Sequence, residues 1–319
     1  MSNKKSHTGN RANANSSKSK NASCSVSPSY KNATGKITYN FTNDYMFRVI
    51  LQQNIAVLKG LICALLHLAP EAIIDIIINN PIELGQSIDN KTFVLDIHIT
   101  LNNHTHINLE MQVENELNWT DRSLSYLCRT YDQLYHGEKY SDASPVIHIG
   151  FLNFSLFPES SEFYATYKML NLKTHQVFSD KLTLGVVDLT HIDNATEEDK
   201  YYQIDRWAKL FKAGTWEEIM NLAKGDECMA EAVKELYKYN ADELIKQQCR
   251  AREEYYQRQR TIHKAIKDAN AEKEQAIAEK EQAIAEKEHA IQVKDQVIAE
   301  LQKQIAELKD QMNSGGKLE

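Results

Sequence analysis

The chain has 319 residues, 42% of them apolar and 15 of them tyrosines, enough for a packed core in one or two domains. Its net charge of −7 is uneven: residues 1–43 hold seven Lys or Arg and no acid, so the remainder carries −14, which argues against a broad basic surface and leaves any DNA contact to a local patch, a metal site or the tail. Five cysteines without a C-x-x-C spacing suggest neither a zinc ribbon nor a disulfide framework.

Residues 1–36 are rich in Ser, Asn and Lys and poor in large apolar side chains, so a disordered basic arm is expected. Its charge suits either non-specific phosphate attraction or simple solubilisation. The start, MSNKKSHTGNRANANSS, has no apolar stretch of the kind a signal peptide needs. The most apolar window, residues 60–70, is too short to span a bilayer, so no membrane partner and a reduced, cytoplasmic setting are expected.

Thr42 and Asn43 are cap residues, and Met46, Phe47, Ile50, Leu51, Ile55 and Leu58 follow at helical spacing, predicting one helix to about Leu66. Asp44 falls in its first turn, where it suits the helix dipole. Pro70 interrupts, and residues 71–79 fit a short helix or a strand equally well.

The stretch TFVLDIHITLNNHTHINLEMQVEN at 92–115 is the one around which the rest of the chain is organised. Phe93, Leu95, Ile97 and Ile99 alternate with Val94, Asp96, His98 and Thr100; Ile107, Leu109, Met111 and Val113 share one face, and Asn108, Glu110 and Gln112 the other. Asn102, Asn103, His104 and Thr105 supply turn chemistry, so an antiparallel hairpin is predicted. With both apolar faces on one core, parity favours a connection such as 102–104, which sets Asp96 opposite Glu110, with side chains about 5 Å apart. Two carboxylates at that distance repel unless a cation lies between them, and a hard divalent ion such as Mg²⁺ or Mn²⁺ is the natural neutraliser. His98 shares the face of Asp96 and is expected to support the carboxylates as an outer partner. A zinc site built from His98, His104 and His106 lacks the convergence zinc requires.

Thr120 is expected to cap a second helix with Leu124, Leu127, Cys128, Tyr131, Leu134 and Tyr135 as its apolar stripe. Arg122, Tyr126, Arg129 and Gln133 form the neighbouring face, which comes directly after the carboxylate strand and can hold a phosphate through arginine. The alternative for either arginine is a solvated or ion-paired helix flank. Residues 145–157 read as a central strand, apolar on both faces, and 162–173 and 177–189 as two more, giving an α/β or α+β core of about five strands. From Thr196 the pattern is helical, with Trp207 and Phe211 as an i, i+4 anchor pair. No Gly-rich phosphate loop or Ser/His/Asp arrangement appears.

The tail repeats AEKEQAI and its variants from 271. Ile277, Ile284, Ile291 and Ile298 occupy heptad position a, while position d is Lys280, Lys287 and Lys294 before it becomes Leu301 and Leu308. A lysine at d weakens the seam, so self-association is expected through residues 298–312, where a solitary helix held by Glu/Lys pairs is the alternative.

FTNDYMF at 41–47, VLDIHI at 94–99, INLEMQ at 107–112 and RSLSYLCRTYDQLYHGEKYSDASPVIHIGFLNF at 122–154 together resemble, in order and spacing, the Rpn family of recombination-promoting nucleases, also described as PD-(D/E)XK nuclease family transposases. The resemblance covers roughly residues 37–260. It implies a restriction-endonuclease-like PD-(D/E)XK core at 37–195, to which the residue pattern adds a helical region at 196–268, a coiled coil at 269–313 and a disordered end at 314–319. It also implies a Mg²⁺- or Mn²⁺-dependent deoxyribonuclease linked to recombination, mobile elements or phage defence, with DNA as partner. Asp96 and Glu110 would then be catalytic metal ligands, the Met111 carbonyl would complete the shell, and Asp44 on the first helix could add a further ligand. Gln112 stands in place of the usual lysine: its amide can orient a water but brings no positive charge. Leu95 replaces the proline of the superfamily name. The alternative is a nuclease-like scaffold without efficient catalysis, acting as a coiled-coil interaction or DNA-binding module.

Overall fold

The alternation in residues 97–112 does form a hairpin. In the computed structural model, which describes residues 29–80, 97–102, 104–132, 137 and 139–315, strand β2 (Ile97–Leu101) pairs antiparallel with β3 (Thr105–Gln112). The register is Ile97↔Leu109, Ile99↔Ile107 and Leu101↔Thr105, so the connection is 102–104. Asn102 enters it with φ of 52°, a conformation Asn tolerates. Its side-chain oxygen accepts from the N–H groups of Ile74 and Asp75, tying the turn to the preceding segment. Asp96, Leu95 and Gln133 lie outside the described residues.

Four more strands extend the hairpin into one mixed sheet. β1 (Ile76–Ile78) lies antiparallel on the outer edge of β2; β4 (Val146–Leu152) runs parallel to β3, β6 (Val177–Asp188) parallel to β4, and β5 (Tyr164–Leu170) antiparallel to β6. The order is β1-β2-β3-β4-β6-β5, six strands among the described residues where about five were expected. The sixth is β1, from the stretch that fitted helix and strand equally: Pro70–Ala72 make one 3-10 turn, and the β-branched run Ile76–Ile78 pairs with β2.

The predicted first helix is two. α1 (Asp44–Gln53), capped by Asn43, and α2 (Ile55–Leu66) meet at a bend of 106°. Asn54 starts the second helix, its side chain accepting from the N–H groups of Ala56 and Val57. The apolar faces of both helices pack into the main core with β2 and β3. After the short α4 (Glu197–Tyr201), α5 (Ile204–Lys212), α6 (Trp216–Leu222) and α7 (Glu227–Asn240) pack into that same core, so these C-terminal helices share the sheet's interior. Phe41, Phe47, Phe151 and Phe211 meet there with ring centroids 5.2–5.5 Å apart, and Trp207 contacts Phe211 as its spacing predicted. Among the described residues no single helix is long and apolar enough to cross a membrane.

On the other face of the sheet lies α3 (Trp119–Tyr131). It begins at Trp119, one residue before the expected cap, and no side chain caps it. Its inward face is Trp119, Ser123 and Leu127, with Arg122 and Tyr126 half-buried beside them, whereas Leu124 and Cys128 of the expected stripe are exposed. Gly150 of β4 explains the turn of the helix: a Cβ there would lie 2.3 Å from Trp119 Cζ2, so only glycine leaves room for the indole. Trp119 forms a smaller core with Leu152, Ala165 and Val186.

The last element, α8 (Glu243–Gly315), is one helix of 73 residues. Its first turns bury Ile245, Cys249, Arg252 and Tyr256, while Ile277, Ile284, Ile291, Ile298, Leu301, Ile305 and Leu308 are exposed along the tail. At the other end of the chain, Lys36 bridges to Thr215 and the Gly35 N–H donates to the Glu217 carboxylate, so the last residues of the arm expected at 1–36 join the folded body instead.

Candidate active site

Strand alternation sends Asn108, Glu110 and Gln112 of β3 to the face under α3, where all three are buried. Glu110 is 6% exposed, a depth at which a carboxylate requires partners. Arg122, in the first turn of α3, provides them: its Nη2 donates to Glu110 Oε1 and, at 2.5 Å, to Gln112 Oε1, and its Nη1 donates to Glu116 Oε2 at 3.4 Å. The Gln112 Nε2 donates to the Glu114 carbonyl at 2.9 Å, so both ends of that amide are engaged.

Behind Glu110 stands His148 of β4. The parallel register Asn108↔His148 and Glu110↔Gly150 brings its Nε2 to 3.5 Å from Glu110 Oε2, and its Nδ1 lies 2.7 Å from Asn108 Nδ2. The ring is fully buried, with Trp119 and Tyr126 packed around it at centroid distances of 5.9 and 6.4 Å. Glu110 Oε2 itself is buried without a hydrogen-bond partner.

The facing wall comes from α1 and α8. Asp44, 2% exposed, accepts from Arg252 Nε at 3.1 and 3.0 Å, from Arg252 Nη2, and from the Tyr256 hydroxyl at 2.5 Å. Burial, reinforced by the Asp44 charge, pushes the Tyr256 hydroxyl well above its ordinary pKa. Burial is the largest influence on Arg252 and opposes its charge, but the hydrogen bonds and charges of Asp44 and Tyr256 together outweigh it and hold the guanidinium pKa above the ordinary value. The two walls enclose a cavity of about 90 Å³, into which Asp44, Glu110, Gln112, Met111, Arg122 and Tyr126 all face. Glu116, Arg252, Tyr255 and Tyr256 complete it.

Six residues singled out in the sequence therefore share one pocket, among them Asp44 from a segment more than sixty residues upstream of Glu110. Arg129 does not join them and is exposed on α3. His98 is half-buried on β2, and the imidazole beside Glu110 is His148 of β4. Burial, with the charges of His148 and Arg48 next, lowers the pKa of His98. His148, Arg252, Tyr255 and Tyr256 were missed. The only hint of His148 was one imidazole in the apolar run VIHIGFL, and nothing in RAREEYYQRQR distinguishes Arg252 from its neighbours.

Residues 41–266 match the model of a single family, PD-(D/E)XK nuclease family transposase. The chain belongs to that family. The match runs from just before α1 into the early turns of α8 and so includes both walls of the pocket. No curated protein and no solved structure matches the chain. For a PD-(D/E)XK nuclease family transposase, the oxygen-rich pocket and the buried Glu110 Oε2, which makes no hydrogen bond, are a chemically suitable start for a hard cation. Among the described residues, however, no group of three or more His, Cys, Asp or Glu side chains is placed to hold a metal ion.

Proposed function

We propose that this PD-(D/E)XK nuclease family transposase is a metal-dependent DNA endonuclease that hydrolyses phosphodiester bonds in the pocket between β3, α3 and α8. The observation that carries the reading is Glu110: a buried carboxylate with one oxygen on Arg122 and the other without a hydrogen-bond donor, in a pocket that also holds Asp44. In the sequence, face parity sets Asp96 opposite Glu110. In this proposal Asp96 and Glu110, with the Met111 carbonyl, hold Mg²⁺ or Mn²⁺, and Asp44 is a further ligand only when Arg252 releases it. Bound there, the cation would polarise a phosphoryl oxygen and lower the pKa of the attacking water.

The protein's own groups supply the rest. Arg122 lies against Gln112, so the positive charge that a lysine at 112 would bring comes instead from α3, within reach of a phosphate oxygen. Gln112 acts by holding Arg122, since its amide is engaged at both ends. Tyr126 shapes the pocket beside it, and His148 keeps Glu110 oriented from behind. We also propose that the tail associates with a second copy, in a cytoplasmic setting.

The competing reading, a nuclease-like scaffold that binds without cleaving, is favoured by one observation: two arginines already pair with all three described carboxylates of the pocket. Supercoiled DNA incubated with wild type, Asp96→Ala and Glu110→Gln, with and without Mg²⁺ or Mn²⁺, separates the two. Nicking by metal-loaded wild type alone, at least 100-fold above either variant as expected for loss of a catalytic carboxylate (roughly 10² or more), supports the nuclease. Folded wild type that leaves the DNA intact with either metal moves the function to the scaffold.

A further inference from the structure

Beside the carboxylate pocket lies a larger cavity of about 440 Å³. The two share Tyr256, and chain neighbours divide between them: Asp44, Gln112 and Tyr255 face the smaller, Asn43, Val113 and Gln257 the larger. Lys36 and Arg260 stand on its lips. Arg260 Nε is 3.1 Å from Glu114 Oε1, with its side chain 59% exposed, and Glu114 is the residue whose carbonyl accepts from Gln112. Glu253 lines the same cavity; burial raises its pKa, against the positive charges of Arg260, Arg250 and Lys36. Lys36 and Arg260 thus line a cavity with Glu253, on a chain whose net charge is −7. Lys36 is held in place through its backbone, by its bridge to Thr215 and by the Ile37 N–H donating to the Gly214 carbonyl at 2.9 Å.

We propose that this cavity is the track of the nucleic-acid strand leading away from the scissile phosphate, with Lys36 and Arg260 each contacting a backbone phosphate. The inference rests on the nuclease reading of the adjoining pocket. A strand whose scissile phosphate sits by Arg122 must leave the small pocket somewhere, and the larger cavity lies on the other side of Tyr256. The lining favours a phosphodiester chain over a compact apolar ligand, because its lips carry positive charge and about half of its wall is polar, unlike the predominantly apolar pockets of small-molecule sites. A phosphate would take Arg260 from Glu114, an exposed pairing whose loss is inexpensive.

The test is the salt dependence of binding. Fluorescence anisotropy of a labelled single-stranded oligonucleotide and of its duplex is measured with the full chain in EDTA from 50 to 200 mM salt, for wild type, Lys36→Gln/Arg260→Gln and the conservative Lys36→Arg/Arg260→Lys. Lys234→Gln, on the exposed surface of α7, is the control. Loss of two phosphate contacts should lower the log–log slope by about 1.4 on the single strand or about 1.8 on duplex. The conservative pair should restore the slope, and the control should not move it; thermal melts report folding in each case. If wild type binds and cleaves while the Gln/Gln variant keeps its slope, the track is wrong and the nuclease reading stands. If wild type neither binds nor cleaves, both fall.

Discussion

Asp44 is a carboxylate 2% exposed at the start of α1, tolerable there because Arg252 and Tyr256 of α8 meet it. The three form a buried contact across 208 residues of chain, so it both clamps α8 to the body and sets one wall of the pocket. Arg252→Met leaves Asp44 a buried charge without its cation, which should cost about 3–5 kcal/mol. Asp44→Asn leaves the buried Arg252 without its counter-charge and should cost a comparable amount, and the double variant should be more stable than the sum of the two losses predicts. Urea titrations of the four proteins measure this; strict additivity would mean that the contact carries no coupling. The pair also marks the boundary of what the sequence discloses. Glu110 and Gln112 were legible because strand alternation is a local rule, and Arg122 because it lies on the next helix. Arg252 lies far along the chain among other arginines, and only the packing of α8 on α1 selects it.

The hairpin of β2 and β3 is legible down to its register because turn residues and face parity act within a few positions. The direction in which α3 faces is not. Its apolar stripe pointed to Leu124, Leu127 and Cys128, but the space over Gly150 draws in Trp119 and rotates Arg122 and Tyr126 toward the pocket. The single helix expected across residues 42–66 failed for a related reason: Asn54 is an ordinary polar residue in the helical pattern, and its cap becomes visible only when the chain bends there. Gly150→Ala tests the placement of α3. A methyl 2.3 Å from the indole forces the helix outward, and such overpacking should cost about 1–3 kcal/mol. Because α3 carries Arg122, DNA cleavage should fall further than stability alone explains. Trp119→Leu in the Gly150→Ala background should recover part of the thermal stability, read as Tm. A Gly150→Ala protein with the Tm of wild type would show that α3 does not lie where Trp119 places it.

At the scale of the molecule, one helix joins the pocket to the tail. α8 carries Arg252 and Tyr256 in its early turns and continues to Gly315, a length of roughly 110 Å at the usual helical rise. Beyond the body its heptad side chains touch no core, and Ile298, Leu301, Ile305 and Leu308 are each about half exposed at 52%, 52%, 52% and 59%. Glu/Lys pairs keep such a helix soluble, yet four large apolar side chains on one seam gain most by burial against a second seam, at about 25 cal/mol per Å². The earlier repeats have Lys280, Lys287 and Lys294 at position d, so association should be confined to the distal turns and remain modest. Light scattering on the full chain should therefore give a mass that rises with concentration. Replacing Leu301 and Leu308 by Lys extends the charged pattern of the first repeats to the end and should return the monomer mass at every concentration. The melting temperature of the body should stay the same, because neither side chain contributes to its core. A wild type that stays monomeric through the micromolar range would leave α8 a solitary charged helix. A double variant that melts lower would place the tail against the body instead of a second copy.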